Sequence, residues 1–380
     1  MNTIIVFGNG LNNTLGLIRS LGEAGLCPVL ILVSKNSKMS CVQYSRYIKC
    51  CHYVNTQEQG LDVICSDYGH EALKPIVLFA GDPPVCLMDA EYDRLHDKFS
   101  FFNAGAQGRI NHYMNKINTF PIAEKHGLST IKTFGVNGLS DLPSEIAFPC
   151  MVKGNNSTTS TKADMRICFN SEELHSAIKP GISYLVQEYI KKDYELDVIG
   201  FSWNHGKDVY IPAVARKIRD DITRQSAFVR LDDIAQYTDL NAGAIKSMIG
   251  DMHYEGIFSV ELIKSNGKYY FLEVNLRNDA CGYLYTVAGI NYPLLWVLYC
   301  QSKLSWGYIE RLQFKVPMYL MHRDDLFNVL ERKVGVLEWL HDLTRTKAWN
   351  VYSIRDPYPF VRSVFNLIVR IPHKVMKHIG

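Results

Sequence analysis

At 380 residues, with 47% hydrophobic and 21% charged side chains, the chain has the size and balance of a soluble globular protein of two or three domains. Its 41 basic and 38 acidic side chains leave a formal charge of +3, too even to argue for nucleic acid as a partner. No apolar run approaches the roughly 18 residues of a membrane span, and the opening MNTIIVFGNG lacks a signal peptide's basic flank, so a cytoplasmic location is expected. Ten cysteines lie scattered with no C-x-x-C pair. They read as reduced, small core residues, among them Cys27, Cys50, Cys51, Cys86, Cys150 and Cys300.

In chain order, NTIIVFG, TLGLIRSLGEAG and CPVLILVS predict strand, helix and strand, and KPIVLFAG (Lys74 to Gly81) adds another strand to a parallel α/β layer. This first domain is expected over 1–115. A helix over NKINTFPIAEKHG follows, then short strands in STIKTFGV and FPCMVKG. The segment GNNSTTSTKAD after Lys153 has no large apolar side chain. A helix at about Ser171 to Ile178 is expected, with Ser171 as its N-cap and acids in the first turn. Next come SYLVQEYI, YELDVIGFSW and DVYIPAVARKI as extended segments, and a polar helical stretch reaching Tyr254. GIFSVELIKSNGKYYFLEVN then reads as two strands about a Ser-Asn-Gly loop. The last 80 residues, 301–380, form an extension. Its end, 360–380, carries Arg362, Arg370, Lys374 and Lys377 with no acid. Two readings stand there: contact with a membrane surface or acidic partner, or a terminal helix docked by Val361, Val364, Phe365 and Ile368. Pro372, which interrupts a long interfacial helix, favours the second.

VFGNGLNNTLG follows a strand and opens a helix, the place of a dinucleotide-binding loop. The G-x-G-x-x-G pattern is incomplete, with Gly8 and Gly10 followed by Asn13. Lys35 and Lys38 stand where the phosphate of NADP would bind, which keeps an NADP-dependent oxidoreductase as an alternative. The other reading is a tight turn that packs helix on strand.

The hairpin carries the chemistry. Glu273, Asn275 and Arg277 alternate along one strand, and Glu261 lies on its partner. A two-residue Asn266-Gly267 turn would put Glu261 opposite Leu272, facing away from Glu273. A three-residue loop over Ser265, Asn266 and Gly267 puts it opposite Phe271 and diagonal to Glu273 on one face, and this geometry is the expectation. Two carboxylates and a guanidinium on a half-buried face require neutralisation. One solution is a salt bridge of Arg277 with Glu261 or Glu273. The other is Mg²⁺ held by the oxygens of Glu261, Glu273 and Asn275, with Arg277 near a transferring phosphoryl group. Lys116, Lys153 and the hydroxyl-rich loop after Lys153 suit a polyphosphate.

The order of these motifs, MNK, FPCMVK, LVQEYI with YELDV, and SVELI with FLEVNLR, resembles the ATP-grasp superfamily, in particular its carboxylate–amine ligases and carbamoyl-phosphate-synthetase-like members. The resemblance runs over about 1–300 and is most specific in the last pair. It implies a Rossmann-like parallel α/β domain followed by an ATP-grasp fold of two α+β subdomains, 116–185 and 186–300, that clamp ATP. It also implies an enzyme that activates a carboxylate as an acyl phosphate and joins it to an amine, releasing ADP and phosphate. A non-catalytic ATP-binding protein is a further alternative. By this resemblance Lys116 and Lys153 bind ATP phosphates. Gln187, Glu188, Tyr189 and Ile190 line the adenine, and Glu195 meets the ribose or orients the site. Glu261, Glu273 and Asn275 bind two Mg²⁺ ions, with Mn²⁺ as a substitute, and Arg277 and Lys153 are catalytic. Arg216 and Arg219 are further phosphate or substrate contacts or solvated strand-end charges. Partners are then small-molecule carboxylates and amines, with no nucleic acid and no membrane span, and a homodimer is compatible with this reading. The loop departs from the family in having Asn, Ser and Thr where glycines are usual.

Overall fold

The computed structural model describes residues 1–34, 40–155, 165–221 and 225–366. Lys35, Lys38, most of the hydroxyl-rich loop and residues 367–380 lie outside them.

The described residues form three sheets. The first is parallel, in the order β3-β2-β1-β4-β5, from β1 (Ile4–Asn9), β2 (Val29–Val33), β3 (Cys50–Val54), β4 (Ile76–Phe79) and β5 (Ser100–Phe101). IIVF, VLILV and IVLF are continuous apolar runs because helices cover both faces of a parallel sheet. The sequence does not announce β3, whose CCHYV is mostly exposed or half-buried, or the two-residue β5. The cysteine expectation needs a matching correction. All ten are free, but Cys27 and Cys50 are exposed, while Cys150, Cys168 and Cys281 are core residues.

The second sheet, β6-β9-β7-β8, comprises β6 (Thr133–Val136), β7 (Cys150–Gly154), β8 (Arg166–Cys168) and β9 (Tyr184–Glu188). One of its faces packs with the helix Ser171–Ala177 into a core of its own around Val152, Leu174 and Val186. Asn170, not Ser171, caps that helix, its side chain accepting from Glu173 N at 2.9 Å, and Glu172 and Glu173 fill the first turn.

The third sheet is built from β10 (Tyr194–Trp203), β11 (Asp208–Tyr210), β12 (Ala213–Asp220), β13 (Ser226–Asp233), β14 (Gly256–Ser265), β15 (Lys268–Asn275), β16 (Met318–Met321) and β17 (Ala348–Trp349). Its order is β15-β14-β10-β12-β13-β16-β17, with β11 on β10. DVYIPAVARKI is therefore two strands, and the stretch expected to be helical up to Tyr254 holds β13 before its helix, Ala242–Asp251. β13 was hidden because its charged Arg230, Asp232 and Asp233 interrupt the apolar alternation, while pairing with both β12 and β16 satisfies its backbone. One continuous core joins this sheet to the N-terminal layer, from Ile4 through Phe102, Trp296 and Ala348.

The C-terminal segment also departs from expectation. The helix beginning at Tyr358 docks through Pro359 and Ser363, and Val361, Val364 and Phe365 are exposed at 61%, 38% and 52%. Its attachment is polar: Arg323 Nη1 donates to Ser363 Oγ at 2.6 Å. Ile368 lies outside the described residues.

Candidate active site

The hairpin reaches the expected pairing by a different route. Asn266 and Gly267 have φ of 47° and 78° and form a two-residue turn, so Ser265 pairs Lys268 and Leu262 pairs Phe271. The three-residue loop is thus not formed. Continued regularly, this register would turn Glu261 away from Glu273. A β-bulge between Glu261 and Leu262 leaves Leu272 as the extra residue and brings Glu261 directly opposite Glu273. Beside the bulge Phe271 is held by a distant segment, its N–H donating to Ser129 O at 2.7 Å and its ring edge-on to Phe120. Directly opposite residues have Cβ atoms about 5 Å apart, closer than the diagonal spacing.

A third carboxylate joins this pair. Asp197 of β10 lies opposite Glu261, so Asp197, Glu261 and Glu273 form a row across three adjacent strands. Burial raises the Asp197 carboxyl well above the usual carboxylate range, and the negative charges of Glu261 and Asp279 add to the rise. Asp279 and Cys281 bring their ligand atoms within 4.8 Å of one another and of Asp197. Asn275, opposite Ser259, is on the same face. Its amide donates to Glu261 Oε1 at 3.3 Å, and its carbonyl oxygen accepts from Arg277 Nη2 at 3.2 Å. Sequence reasoning missed Asp197, although its alternation with Glu195 in YELDV puts both on one face of β10.

Two lysines converge on the row from other elements. Lys116 opens the helix Lys116–Lys125, capped by Asn115, and pairs with Glu273. Burial opposes its charge, but Glu273, Glu261 and Asp82 outweigh burial and hold its pKa above the ordinary value. Lys153, 7% exposed on β7, lacks such compensation. Burial and the charge of Lys116 push its pKa down to about 8 against the pull of Glu273 and Glu261.

Arg277 is not paired with Glu261 or Glu273 as one expectation had it. Its Nε donates to Asp82, at the start of the helix Asp82–Ala90 in the N-terminal layer, and its Nη1 donates to Asn278 O at 3.1 Å. Burial works against its charge, yet Asp82 and Asp279 raise its pKa further. Beside it, Asn13 donates to Ala80 O at 3.0 Å and Asn278 O at 2.8 Å, and accepts from Asn278 Nδ2. The position that breaks the glycine fingerprint is therefore a clamp between the first layer and the segment after the hairpin. This geometry gives the NADP alternative no support.

The other predicted residues divide. Register on the small sheet places Thr133, Met151, Lys153, Leu185 and Gln187 on one face, opposite the face that packs with Val152 and Val186. Gln187 is 2% exposed and its amide donates to Thr133 Oγ1 at 2.7 Å. Glu188 belongs to the other face and is exposed. Its N–H donates to Lys132 O at 3.1 Å, and that of the half-buried Tyr189 to Pro149 O at 3.1 Å. Ile190 follows, half-buried. Glu195 is held at 2.5 Å by each of Lys192 and Lys217. Burial would raise its pKa, and these lysines lower it instead. Arg219 is not a solvated end: it binds Asp325 at 2.8 Å and Asp342 at 2.6 Å, tying β12 to the C-terminal segment. Arg216 lies over the Tyr194 ring at 4.2 Å.

The carboxylate row suits a hard divalent cation by its donor chemistry. Asp197, Glu261, Glu273 and Asn275 offer only oxygen ligands. Burial, with the charges of Glu261 and Asp279 added to it, holds the Asp197 carboxyl up, and the buried Ser259 hydroxyl beside Asn275 has no partner among the described residues.

Residues 122–293 match the family model of the ATP-grasp domain. No curated protein sequence matches the chain significantly. Among solved structures, the L-amino acid ligase of Bacillus licheniformis has a TM-score of 0.62 at 15% identity, over 81% of this chain and 76% of that one. The N5-carboxyaminoimidazole ribonucleotide synthetase of Thermotoga maritima has 0.60 at 13%, over 84% and 79%. The biotin carboxylase domain of the Hydrogenobacter thermophilus 2-oxoglutarate carboxylase, in complex with MgADP, ADP and bicarbonate, has 0.65 at 15%, over 84% and 73%. A parallel α/β layer thus precedes residues 122–293, the part of the chain that matches the ATP-grasp domain and that contains Lys153, Asp197, Glu261 and Glu273.

Proposed function

We propose that the protein is an ATP-dependent ligase that converts a carboxylate to an acyl phosphate and joins it to an amine, releasing ADP and phosphate. The observation that carries this reading is the row Asp197, Glu261 and Glu273 with Lys116 and Lys153 converging on it, within a domain of the ATP-grasp family. The fold neighbours include an amino acid ligase and a carboxylase domain with bound MgADP, which supports the choice of nucleotide and reaction class.

In this reading the phosphates lie between the small sheet and the hairpin, with Lys153 above and Lys116 beside them as cationic contacts. Glu261, Glu273, Asn275 and Asp197 would hold Mg²⁺, in one or two ions, which supplies charge neutralisation at the phosphate oxygens. Arg277, fixed by Asp82 and Asn278, orients the acceptor carboxylate and meets the charge that develops on the transferring group. The base of ATP lies along Gln187 to Ile190, through backbone and apolar contact because the Gln187 amide is engaged by Thr133. Glu195, already paired with two lysines, orients them and does not act as a base. We assign 1–115 to a layer that shapes the acceptor site, 116–185 and 186–300 to the two nucleotide-binding halves, and 301–380 to an extension. The reading is tested by ADP release across a panel of carboxylates crossed with amines. Release that needs one of each with Mg²⁺ supports it. Release with a carboxylate alone, trapped by hydroxylamine, would show activation without ligation. No release with any pair, in protein that binds ATP, would leave a nucleotide-binding protein without turnover.

A further inference from the structure

The ligase reading makes no use of the segment 354–380, and the helix beginning at Tyr358 presents two unlike faces. Pro359 and Ser363 are buried, with Ser363 held by Arg323. Tyr358, Val361, Arg362 and Phe365 follow the i, i+3, i+4 and i+7 spacing of a single stripe. On that stripe Tyr358, at 63%, Val361 and Phe365 are exposed. Phe360 and Val364 are exposed beside it, and Ile354, 83% exposed, precedes it. An apolar stripe of this kind ordinarily seals a helix against a core. Here the hydrophobic clusters of the described residues include none of these side chains.

The charged groups of the same surface are basic. The Arg362 guanidinium lies between two rings, 5.3 Å from the centroid of Tyr44 and 5.2 Å from that of Phe365, so the exposed Tyr44 joins the stripe. Arg46 and Arg355 are exposed close by, because Arg46 N donates to Asp356 Oδ1 just before the helix. The acids around this segment are already engaged. Asp356 is buried against Arg19, Glu23 accepts from Tyr283 and faces Arg355 at 3.8 Å, and Asp324 accepts from Arg323 at 3.0 Å. Residues 367–380, LIVRIPHKVMKHIG, add Arg370, Lys374 and Lys377 among apolar residues and no acid.

We propose that this surface docks the protein on a lipid bilayer rich in anionic headgroups. Tyr358, Val361 and Phe365 enter the boundary between headgroups and acyl chains, while Arg46, Arg355, Arg362 and the basic residues of 367–380 meet lipid phosphates and carboxylates. The stripe requires an apolar partner and the arginines require negative charge, and an anionic bilayer supplies both in one plane. A second copy of the chain fits less well, since a two-fold contact through the same patch sets its arginines against one another. Pro372 lies beyond the stripe and does not interrupt it. No helix of the described residues is long and apolar enough to cross a membrane, so the contact is peripheral. It is separate from the ligase reading and does not depend on it.

The test is co-sedimentation of the full chain with vesicles of phosphatidylcholine, with and without about a quarter of phosphatidylserine. Binding to the anionic vesicles is expected at low salt, at least about tenfold stronger than to phosphatidylcholine alone, and should weaken as salt is raised. The double variant Val361→Ser/Phe365→Ser removes exposed apolar groups, and Arg46→Glu reverses an exposed charge. Each should weaken binding at least about tenfold, with the thermal denaturation midpoint unchanged because the positions are exposed. The proposal is overturned if the chain binds neither kind of vesicle, if it binds both equally, or if either variant binds like the wild type. Capture by soluble poly-glutamate without vesicle binding would overturn it in favour of an acidic protein. Dimers in sedimentation velocity that the double variant dissolves, again without vesicle binding, would overturn it in favour of a second copy.

Discussion

Glu273 faces three groups at once: Glu261 across the ladder, Lys116 from the helix beside it, and Lys153 from the small sheet. Glu273→Gln keeps the shape and removes the charge that a divalent ion needs. Metal-dependent ADP release should fall about a hundredfold or more, the equivalent of several kcal/mol of charge stabilisation. Turnover within a few-fold of the wild type would place the metal elsewhere. Lys153 makes a pH prediction with a defined sign. Its pKa of about 8 means that the free protein holds a cationic Lys153 below pH 8 and loses it above. In the proposed site phosphates would bind the cation, so nucleotide affinity should fall as pH rises from about 7 to 9, and binding near pH 8 should take up protons. Calorimetry in buffers of different ionisation enthalpy reads that uptake, and Lys153→Arg, charged throughout, should flatten the profile.

Among elements, the β14–β15 hairpin shows how local chemistry and tertiary contact share control of register. The Asn-Gly pair selects the two-residue turn, and the contact of Phe271 with Ser129 and Phe120 accompanies the bulge. Sequence reasoning placed the acids on one face but chose a longer loop, because alternation along a strand carries no mark of an inserted residue. Gly267 has φ of 78° and open space where a Cβ would stand, so Gly267→Ala introduces backbone strain alone. It should cost about 1 to 2 kcal/mol, seen as a lower denaturation midpoint. Asn266→Gly should be close to neutral, and equal losses in both variants would argue that the turn is not the source.

At the level of the whole molecule, the C-terminal segment closes on the N-terminal layer through a buried ion pair. Arg19, fully buried in the first long helix, donates through Nε to Asp356 Oδ2 at 3.1 Å and through Nη2 to Val351 O at 2.7 Å. Asp356 also accepts from Ser45 Oγ and Arg46 N, each at 2.9 Å. Arg19→Ala leaves that carboxylate buried without its cation and should cost about 3 to 5 kcal/mol in chemical denaturation. Asp356→Asn, which keeps the hydrogen-bonding shape, is expected to cost less. A loss under about 1 kcal/mol for Arg19→Ala would mean that the segment detaches freely.

By itself the sequence determined what periodicity and side-chain chemistry can encode. The apolar runs of β1, β2 and β4 named a parallel layer, and the acids around a Ser-Asn-Gly loop, with two lysines upstream, pointed to an ATP-grasp fold. Both signals are local, a run or an alternation within one or two elements. Only the tertiary structure decided the contacts between distant segments. Asp197 joins the row because β10 pairs with β14, Arg277 turns to Asp82 nearly two hundred residues away, and the helix from Tyr358 buries Pro359 and Ser363 while Val361 and Phe365 stay exposed. No short-range pattern records such partners, since each depends on which elements the shared core brings together.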